Sequence, residues 1–177
     1  MHTQMSELKT KSPLFYEVIP GLLYAGVCPW ESSVQDSHVS DLLSMEIRDF
    51  ITLKEDVNVH ESIATLMNSL SDINILHVPI EDYSLPQVQA LEHILTVLHK
   101  QVQSHKKTYV SCAKGLGRTG VVISCFLAEF HDISGSEAMN LLNQKRLKSG
   151  FMPTCDSPET HEQIEFVQYW KKTQCNF

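Results

Sequence analysis

A cysteine and an arginine stand six positions apart near the middle of this 177-residue chain, as Cys112 and Arg118. An apolar run typical of a β-strand precedes the cysteine at 108–110, and an apolar helical run follows the arginine at 121–130. A loop between a strand and a helix can wrap a phosphate dianion, because the first backbone N–H groups of the helix are unpaired and point at the anion. The residues predicted to bind that phosphate are Ala113, Lys114, Gly115, Leu116, Gly117 and Arg118.

Each residue type in this loop has a separate physical task. A helix N-terminus and a nearby cation favour the thiolate form of cysteine, which is the nucleophilic form, so Cys112 is the predicted nucleophile. Gly115 and Gly117 permit the positive φ angles that let successive N–H groups converge on an anion. Arg118 supplies a planar fork for two phosphate oxygens. Thr119 is predicted to hydrogen-bond the sulfur and to stabilise it as a leaving group.

Through these residues the chain resembles the cysteine-dependent protein tyrosine phosphatases, whose signature is His-Cys-x5-Arg-Ser/Thr-Gly. The resemblance is closest to the compact dual-specificity branch, including its small bacterial and Cdc14-like members. It covers most of the chain, since three further segments look like the family's opening strand pair, general-acid loop and C-terminal segment: 19–26, 78–86 and 157–166. The resemblance implies a dual-specificity or tyrosine phosphatase that forms a cysteinyl-phosphate and needs neither metal nor cofactor.

The predicted general acid is Asp82, in the loop that follows an apolar strand and precedes Pro86. A proton donor is needed because thiolate attack expels an alkoxide or phenoxide, and general acid catalysis contributes a factor of roughly 10² to 10⁴. Asp82 would protonate the leaving oxygen and later activate the water that hydrolyses the cysteinyl-phosphate. Its neighbour Glu81 is the alternative acid.

Two positions depart from the family pattern. Ser111 stands where the family usually has the histidine before the cysteine, which bears on the reactivity of the thiol. Gln163 is a possible water-orienting residue, but an alignment on Thr160, Gln163 and Phe166 puts Glu159 at the position of the classical family's glutamine. The departures at Ser111 and Glu159 leave open a catalytically weak module that only binds a phospho-ligand.

The expected partners are phosphoproteins carrying phosphotyrosine, phosphoserine or phosphothreonine. An inositol phosphate or phosphoinositide is the alternative substrate, because Lys114 adds a positive charge to the loop. Nucleic acid is not an expected partner, since the net charge is −7. The chain is expected to act as a monomer.

Composition predicts a single domain at 13–177 after a polar tail at 1–12. The five cysteines are an odd number without zinc-type spacing, and the histidines form no metal pattern. A nucleophilic thiol requires a reducing environment, which predicts a cytoplasmic protein. The apolar runs are too short to predict a membrane span. An exported effector would show the same features, so export stays open.

The hydrophobic pattern predicts an α/β fold with a central, mostly parallel sheet flanked by helices on both faces. Such sheets bind ligands at the carboxyl ends of their strands, which is where the loop would lie. Ser157 and Pro158 are predicted as the N-cap and first residue of the last helix, with Glu159 in its first turn. The predicted strands are short strands around Pro20 and Gly21 within 18–25, then 49–53, 75–80 and 108–111, and the predicted helices are 34–45, 62–70, 86–103, 121–131, 136–147 and 158–172.

Overall fold

The computed structural model describes residues 13–30, 37–56, 72–152 and 154–174. The predicted tail at 1–12 and the predicted helix at 62–70 lie outside these residues. Strands alternate with helices along the described chain, as the hydrophobic pattern predicts. The strands are β1 (Phe15–Ile19), β2 (Leu23–Val27), β3 (Asp49–Thr52), β4 (Asn74–His77) and β5 (Thr108–Cys112), and the helices are α1 (Ser37–Ser44), α2 (Val88–Gln103), α3 (Gly117–Phe130), α4 (Gly135–Ser149) and α5 (His161–Gln174).

The five strands form one sheet in the order β1-β2-β5-β3-β4. Strand β5 lies at its centre and pairs in parallel with β2 and β3. Strand β4 is also parallel, whereas β1 pairs antiparallel with β2. This confirms the mostly parallel sheet, and it brings the carboxyl ends of β2, β3, β4 and β5 to one edge.

Two hydrophobic clusters cover the two faces of the sheet. The larger cluster packs α2, α3, α4 and α5 against one face, around residues such as Leu95, Val110 and Phe126. The smaller cluster packs α1 against the other face, around Trp30, Phe50 and Tyr109. The expected helices on both faces are therefore confirmed.

The last helix begins later than the sequence pattern predicts. It starts at His161, so Ser157 and Pro158 are not its N-cap and first residue, and Glu159 is not in its first turn. The hydroxyl of Ser157 instead donates to the carbonyl of Leu116 at 2.7 Å, and Thr160 Oγ1 accepts the N–H of Gln163 at 3.1 Å. A tertiary contact to the loop thus displaces the local capping interaction.

Other helix and strand boundaries differ by a few residues. Strand β4 ends at His77 rather than at residue 80, although the N–H groups of Val78 and Ile80 still donate to the carbonyls of Thr52 and Leu53 at 3.0 and 2.9 Å. Helix α3 begins at Gly117 rather than at residue 121, so the arginine lies within its first turn. The helix predicted at 34–45 appears as α1, and residues 34–36 are outside the described part of the chain.

Two glycines bring β2 and the cysteine loop into direct backbone contact. A methyl group on Gly115 (φ +73°) would lie against the backbone of Gly26. A methyl group on Gly26 would meet Phe15 Cα at 2.6 Å and the hydroxyl of Tyr109 at 2.7 Å. The loop can therefore sit directly on the end of β2 only because Gly115 lacks a side chain, and Phe15 and Tyr109 can approach β2 so closely only because Gly26 lacks one.

We expect Gly26→Ala to lower the free energy of unfolding by about 1–3 kcal/mol, because the methyl group overpacks a backbone contact. The measurement is urea unfolding followed by circular dichroism. Gly21→Asn is the matched control, since Gly21 (φ +71°) has open space around its missing side chain and asparagine tolerates this conformation. Equal losses in the two variants would contradict the close contact.

Candidate functional site

The cysteine loop connects the central strand directly to a buried helix. Cys112 is the last residue of β5 and is 3% exposed. Helix α3 follows from Gly117, and its N-cap residue Leu116 makes no side-chain capping hydrogen bond. The N–H groups of the first turn of α3 are therefore available to an anion at the loop, together with the positive end of the helix dipole.

The described residues that line the loop's pocket include five of the ten predicted site residues. They are Asp82, Tyr83, Cys112, Ala113, Lys114, Arg118 and Glu159. The cavity between them has a volume of about 20 Å³, which is close to the room that one water molecule needs. Asp82 pairs with Arg118 across this space, so its side chain has to move before a phosphate oxygen can reach the same guanidinium nitrogen.

Arg118 is the charged centre of the pocket, and its side chain is 2% exposed. Its Nη1 donates to the carbonyl of Ile80 at 2.8 Å and to Glu55 Oε2 at 2.5 Å. Its Nη2 lies 2.9 Å from Asp82 Oδ1. Its Nε is buried and has no hydrogen-bond partner among the described residues. The Nη1 side is thus anchored, while Nε and Nη2 form the edge that can bind two oxygens of a phosphate.

Glu55 is a site residue that the sequence analysis missed. It follows β3, and its two carboxylate oxygens bind different parts of the site: Oε2 accepts from Arg118, and Oε1 accepts the backbone N–H of Asp82 at 2.7 Å. Hydrogen bonds from its own N–H, from Asp82 and from Arg118 lower the pKa of the Glu55 carboxyl from its usual value. Glu55 therefore stays ionised and fastens the Asp82 loop to the arginine.

Asp82 and Glu81 are placed differently with respect to the pocket. Asp82 lines the pocket, pairs with Arg118 and accepts the N–H of Tyr83 at 3.1 Å. Glu81 is exposed, and its carbonyl accepts the N–H of Ser84 at 3.1 Å, which closes the turn. The geometry therefore favours Asp82 as the carboxylate that can meet a leaving group.

Thr119 and Ser111 lie buried on either side of the nucleophile. The hydroxyl of Thr119 has no hydrogen-bond partner among the described residues. A buried hydroxyl without a partner is unfavourable, and a thiolate at Cys112 would supply an acceptor. The contact between Thr119 and the sulfur nevertheless stays a prediction. Ser111 joins the loop to the sheet through its carbonyl, which accepts the N–H of Leu53 at 2.8 Å.

Gln163 and Glu159 approach the loop from the start of α5. Gln163 is fully buried; its Oε1 accepts the N–H groups of Glu159 and Thr160 at 3.1 and 3.2 Å, and its Nε2 donates to the carbonyl of Ser84 at 3.3 Å. A methyl group on Gly117 would lie 2.7 Å from Glu159 Oε2 and 3.0 Å from Gln163 Oε1. Both side chains therefore touch the loop, and Glu159 is the one that lines the pocket. The water-orienting role of Gln163 stays a prediction.

Of the other described cysteines, Cys28 adjoins the cysteine loop, since its N–H donates to the carbonyl of Ala113 at 3.2 Å, whereas Cys125 and Cys155 are not among the residues that line the pocket. Val27 is the pairing partner of Cys112 in the sheet, and the next residue, Cys28, belongs to the cluster on the opposite face. Cys125 lies in the core, where burial raises the pKa of its thiol well above the ordinary value. Cys155 is exposed and lies beside a cavity near Arg146.

No metal site accompanies the loop in the part of the chain that is described. Within 13–30, 37–56, 72–152 and 154–174 there is no group of three histidine, cysteine or acidic side chains that could hold a metal ion. The same residues include no helix with the length and hydropathy of a membrane span.

Residues 13–167 match a family model described as "Swiss Army Knife protein, DSP-PTPase phosphatase domain". The uncharacterized protein MJECL20 of Methanocaldococcus jannaschii is 37% identical over 101 residues, which are 56% of this chain and 62% of that protein. A second relative is "Phosphatidylinositol 3,4,5-trisphosphate 3-phosphatase and protein-tyrosine-phosphatase PTEN2B" of Arabidopsis thaliana. It is 29% identical over 104 residues, 56% of this chain and 15% of that protein. The chain therefore spans less than two thirds of the length of either relative.

A solved structure, a mutant form of Tk-PTP, shares the fold at a TM-score of 0.70. The two chains are 26% identical, and the match covers 90% of this chain and 96% of the other. The order of strands and helices around the cysteine loop is thus that of a known structure over nearly its whole length.

We expect Glu55→Gln to lower kcat/KM for p-nitrophenyl phosphate by about tenfold. A glutamine has one acceptor oxygen and one NH₂ donor, so it can satisfy Arg118 or the N–H of Asp82 but places a donor against the other. The measurement is steady-state hydrolysis at 405 nm. The adjacent Asp56→Asn, at an exposed aspartate, is the charge-matched control. Unchanged kcat/KM in Glu55→Gln would show that the bridge contributes nothing.

Proposed function

Because the chain belongs to the Swiss Army Knife family of DSP-PTPase phosphatase domains, we propose that it hydrolyses phosphate monoesters through a cysteinyl-phosphate, without a metal ion. The observation that carries this proposal is the buried Arg118 at the start of α3, with its Nε unpaired beside Cys112 in one pocket. A guanidinium edge and uncapped helix N–H groups next to a cysteine form an arrangement that binds a phosphate dianion against a nucleophile.

The first step would be in-line attack of the Cys112 thiolate on phosphorus. Arg118 and the loop N–H groups would hold the equatorial oxygens, which supplies the electrostatic stabilisation on which phosphoryl transfer depends. A phosphate oxygen would take Nε directly and compete with Asp82 for Nη2. The incoming substrate would therefore release Asp82 from the arginine and free it to meet the leaving group.

The second half of the reaction would return the enzyme to its starting state. Once released from Arg118, Asp82 would take up a proton from solvent, donate it to the leaving oxygen in the first step and accept a proton from water in the second. Water would attack the cysteinyl-phosphate, and the sulfur would leave as a thiolate that Thr119 can stabilise. Glu55 would keep the loop that carries Asp82 attached to the arginine during both steps.

We favour phosphoproteins as substrates and infer a cytoplasmic, monomeric enzyme whose phosphatase domain covers residues 13–177. The pocket contains the cations Lys114 and Arg118 but also the carboxylates Asp82 and Glu159. A substrate with a single phosphate suits this balance of charge better than one with several. A phosphoinositide is the second candidate, because the relative PTEN2B carries both activities in its description.

We expect Cys112→Ser to abolish hydrolysis of p-nitrophenyl phosphate, because a serine hydroxyl stays protonated and is a far weaker nucleophile than a thiolate. Wild-type hydrolysis should persist in EDTA. The measurement is turnover from pH 5 to 8 with and without EDTA, and Cys155→Ser is the control at an exposed thiol outside the pocket. Loss of wild-type turnover in EDTA would contradict the metal-independent mechanism, and a folded but inactive wild type would favour the phospho-ligand-binding module.

We expect Asp82→Asn to lower kcat by roughly 10² to 10⁴ for an alkyl phosphate, which has a poor leaving group, and by much less for an aryl phosphate with a good one. The measurement is kcat across a series of phosphate esters whose leaving groups span a wide range of pKa. Glu81→Gln is the matched control on the same loop. If Glu81→Gln shows the leaving-group dependence and Asp82→Asn does not, Glu81 is the acid.

A further inference from the structure

An apolar groove with an acidic edge lies beside the catalytic pocket. It has a volume of about 330 Å³ and lies between the start of α2 and the outer side of α5. Leu85, Val88 and Tyr169 are among its exposed side chains. The residues that line it are Leu85, Val88, Glu162, Glu165, Phe166, Tyr169 and Trp170.

The groove and the pocket are lined by neighbouring positions of the same two chain segments. On the loop side, Tyr83 lines the pocket and Leu85 lines the groove. On the helix side, Glu159 lines the pocket and Glu162 lines the groove. Two residues of extended chain span at most about 7 Å, so the groove begins within one or two residues of a phosphorylated side chain bound at Cys112.

A hydrogen bond links the loop that lines the pocket to the helix that lines the groove. The amide of Gln163 donates to the carbonyl of Ser84 at 3.3 Å, between the loop and the helix. The floor of the groove is aromatic, with the rings of Phe166 and Trp170 5.5 Å apart. Trp170 donates its indole N–H to Glu129 at 2.9 Å, so its polar atom is used inside the protein.

Among the described side chains that line the groove, all the charged ones are negative. Glu162 and Glu165 lie on its edge, and no lysine or arginine is among them. Glu165 contacts His161 at 3.6 Å on the exposed side of α5. An apolar floor beside two carboxylates complements a segment that carries one large apolar side chain and one lysine or arginine. The same edge repels a phospholipid surface or a polyphosphate.

We propose that this groove binds the part of a phosphopeptide that flanks the phosphorylated residue, and that it selects a large apolar residue next to a basic one. The proposal rests on the proposed phosphatase activity at Cys112 and adds to it the class of substrate. The apolar side chain lies on Phe166 and Trp170, and the basic side chain reaches Glu162 or Glu165. An exposed ion pair adds little by itself, so the apolar contact contributes most of the selectivity.

The test compares phosphotyrosine peptides of equal length whose flanking pair is leucine–arginine, leucine–glutamate or serine–serine, placed on either side of the phosphotyrosine. We expect wild-type kcat/KM for the leucine–arginine peptide to exceed that for the serine–serine peptide by at least tenfold. Val88→Asn should reduce this ratio about threefold. Leu147→Asn, at an exposed leucine of α4 outside the groove, should leave it unchanged.

The charge component is tested with the double variant Glu162→Gln/Glu165→Gln. It should bring kcat/KM for the leucine–arginine and leucine–glutamate peptides within about twofold of each other and leave kcat/KM for p-nitrophenyl phosphate unchanged. The control is the double variant Asp41→Asn/Glu46→Gln, which removes the same amount of charge near α1, on the other face of the sheet. It should preserve the preference for the leucine–arginine peptide over the leucine–glutamate peptide.

The outcomes separate the groove from the catalytic mechanism. Equal rates on all peptides, or faster hydrolysis of phosphoinositide in vesicles than of any peptide, would overturn the groove proposal while p-nitrophenyl phosphate hydrolysis still supports the phosphatase. If wild type hydrolyses nothing, the proposed function fails. Fluorescence anisotropy with the same peptides then tests the groove alone, and equal affinities would overturn it.

Discussion

The buried guanidinium of Arg118 is the interaction on which the rest of the site depends. A cation that is 2% exposed must be compensated by nearby acceptors, because leaving it unpaired in the interior would cost several kcal/mol. Its compensation comes from two loops that follow different strands, with Glu55 after β3 and the carbonyl of Ile80 and Asp82 after β4, while the arginine itself follows β5. Because these strands are parallel, their carboxyl ends lie at one edge of the sheet. The pairing of Arg118 therefore depends on this sheet topology.

The same pairing gives the site an excess of negative charge. Glu55, Asp82 and Glu159 are close to the loop, and Lys114 and Arg118 are the cations that line the pocket. A bound phosphate dianion must therefore displace a carboxylate from the arginine rather than add to a cationic surface. Asp82 is the carboxylate best placed to leave, since Glu55 is held on both oxygens. Substrate binding would then release the general acid, because a phosphate oxygen would replace Asp82 as the partner of Arg118 Nη2.

The sequence predicts the parts of the site that are local in the chain, and it fails where distant contacts decide. Cys112 and Arg118 are found because one short loop carries both, and the apolar patterns predict the parallel sheet and its helices. Glu55 is missed because it meets Arg118 across 63 positions, and its only signal is an acidic residue just after an apolar strand. Ser157 and Pro158 are misread as a helix start because the hydroxyl of Ser157 bonds to Leu116 across 41 positions instead of capping the helix.

The site has a rigid part, helix α3, which belongs to the core, and an exposed part, the loop around Asp82 and Tyr83. Every residue from 117 to 128 is buried, so the helix cannot shift without repacking both α2 and α4 around it. Its amide hydrogens should therefore exchange with solvent only when the whole domain unfolds. The loop around Asp82 and Tyr83 is exposed, and its amides open locally at a far lower free energy. The proposed phosphate-binding half of the site is thus as stable as the whole fold. The proposed proton-transfer half can change its conformation with temperature, sequence change or a bound substrate, and the fold stays intact.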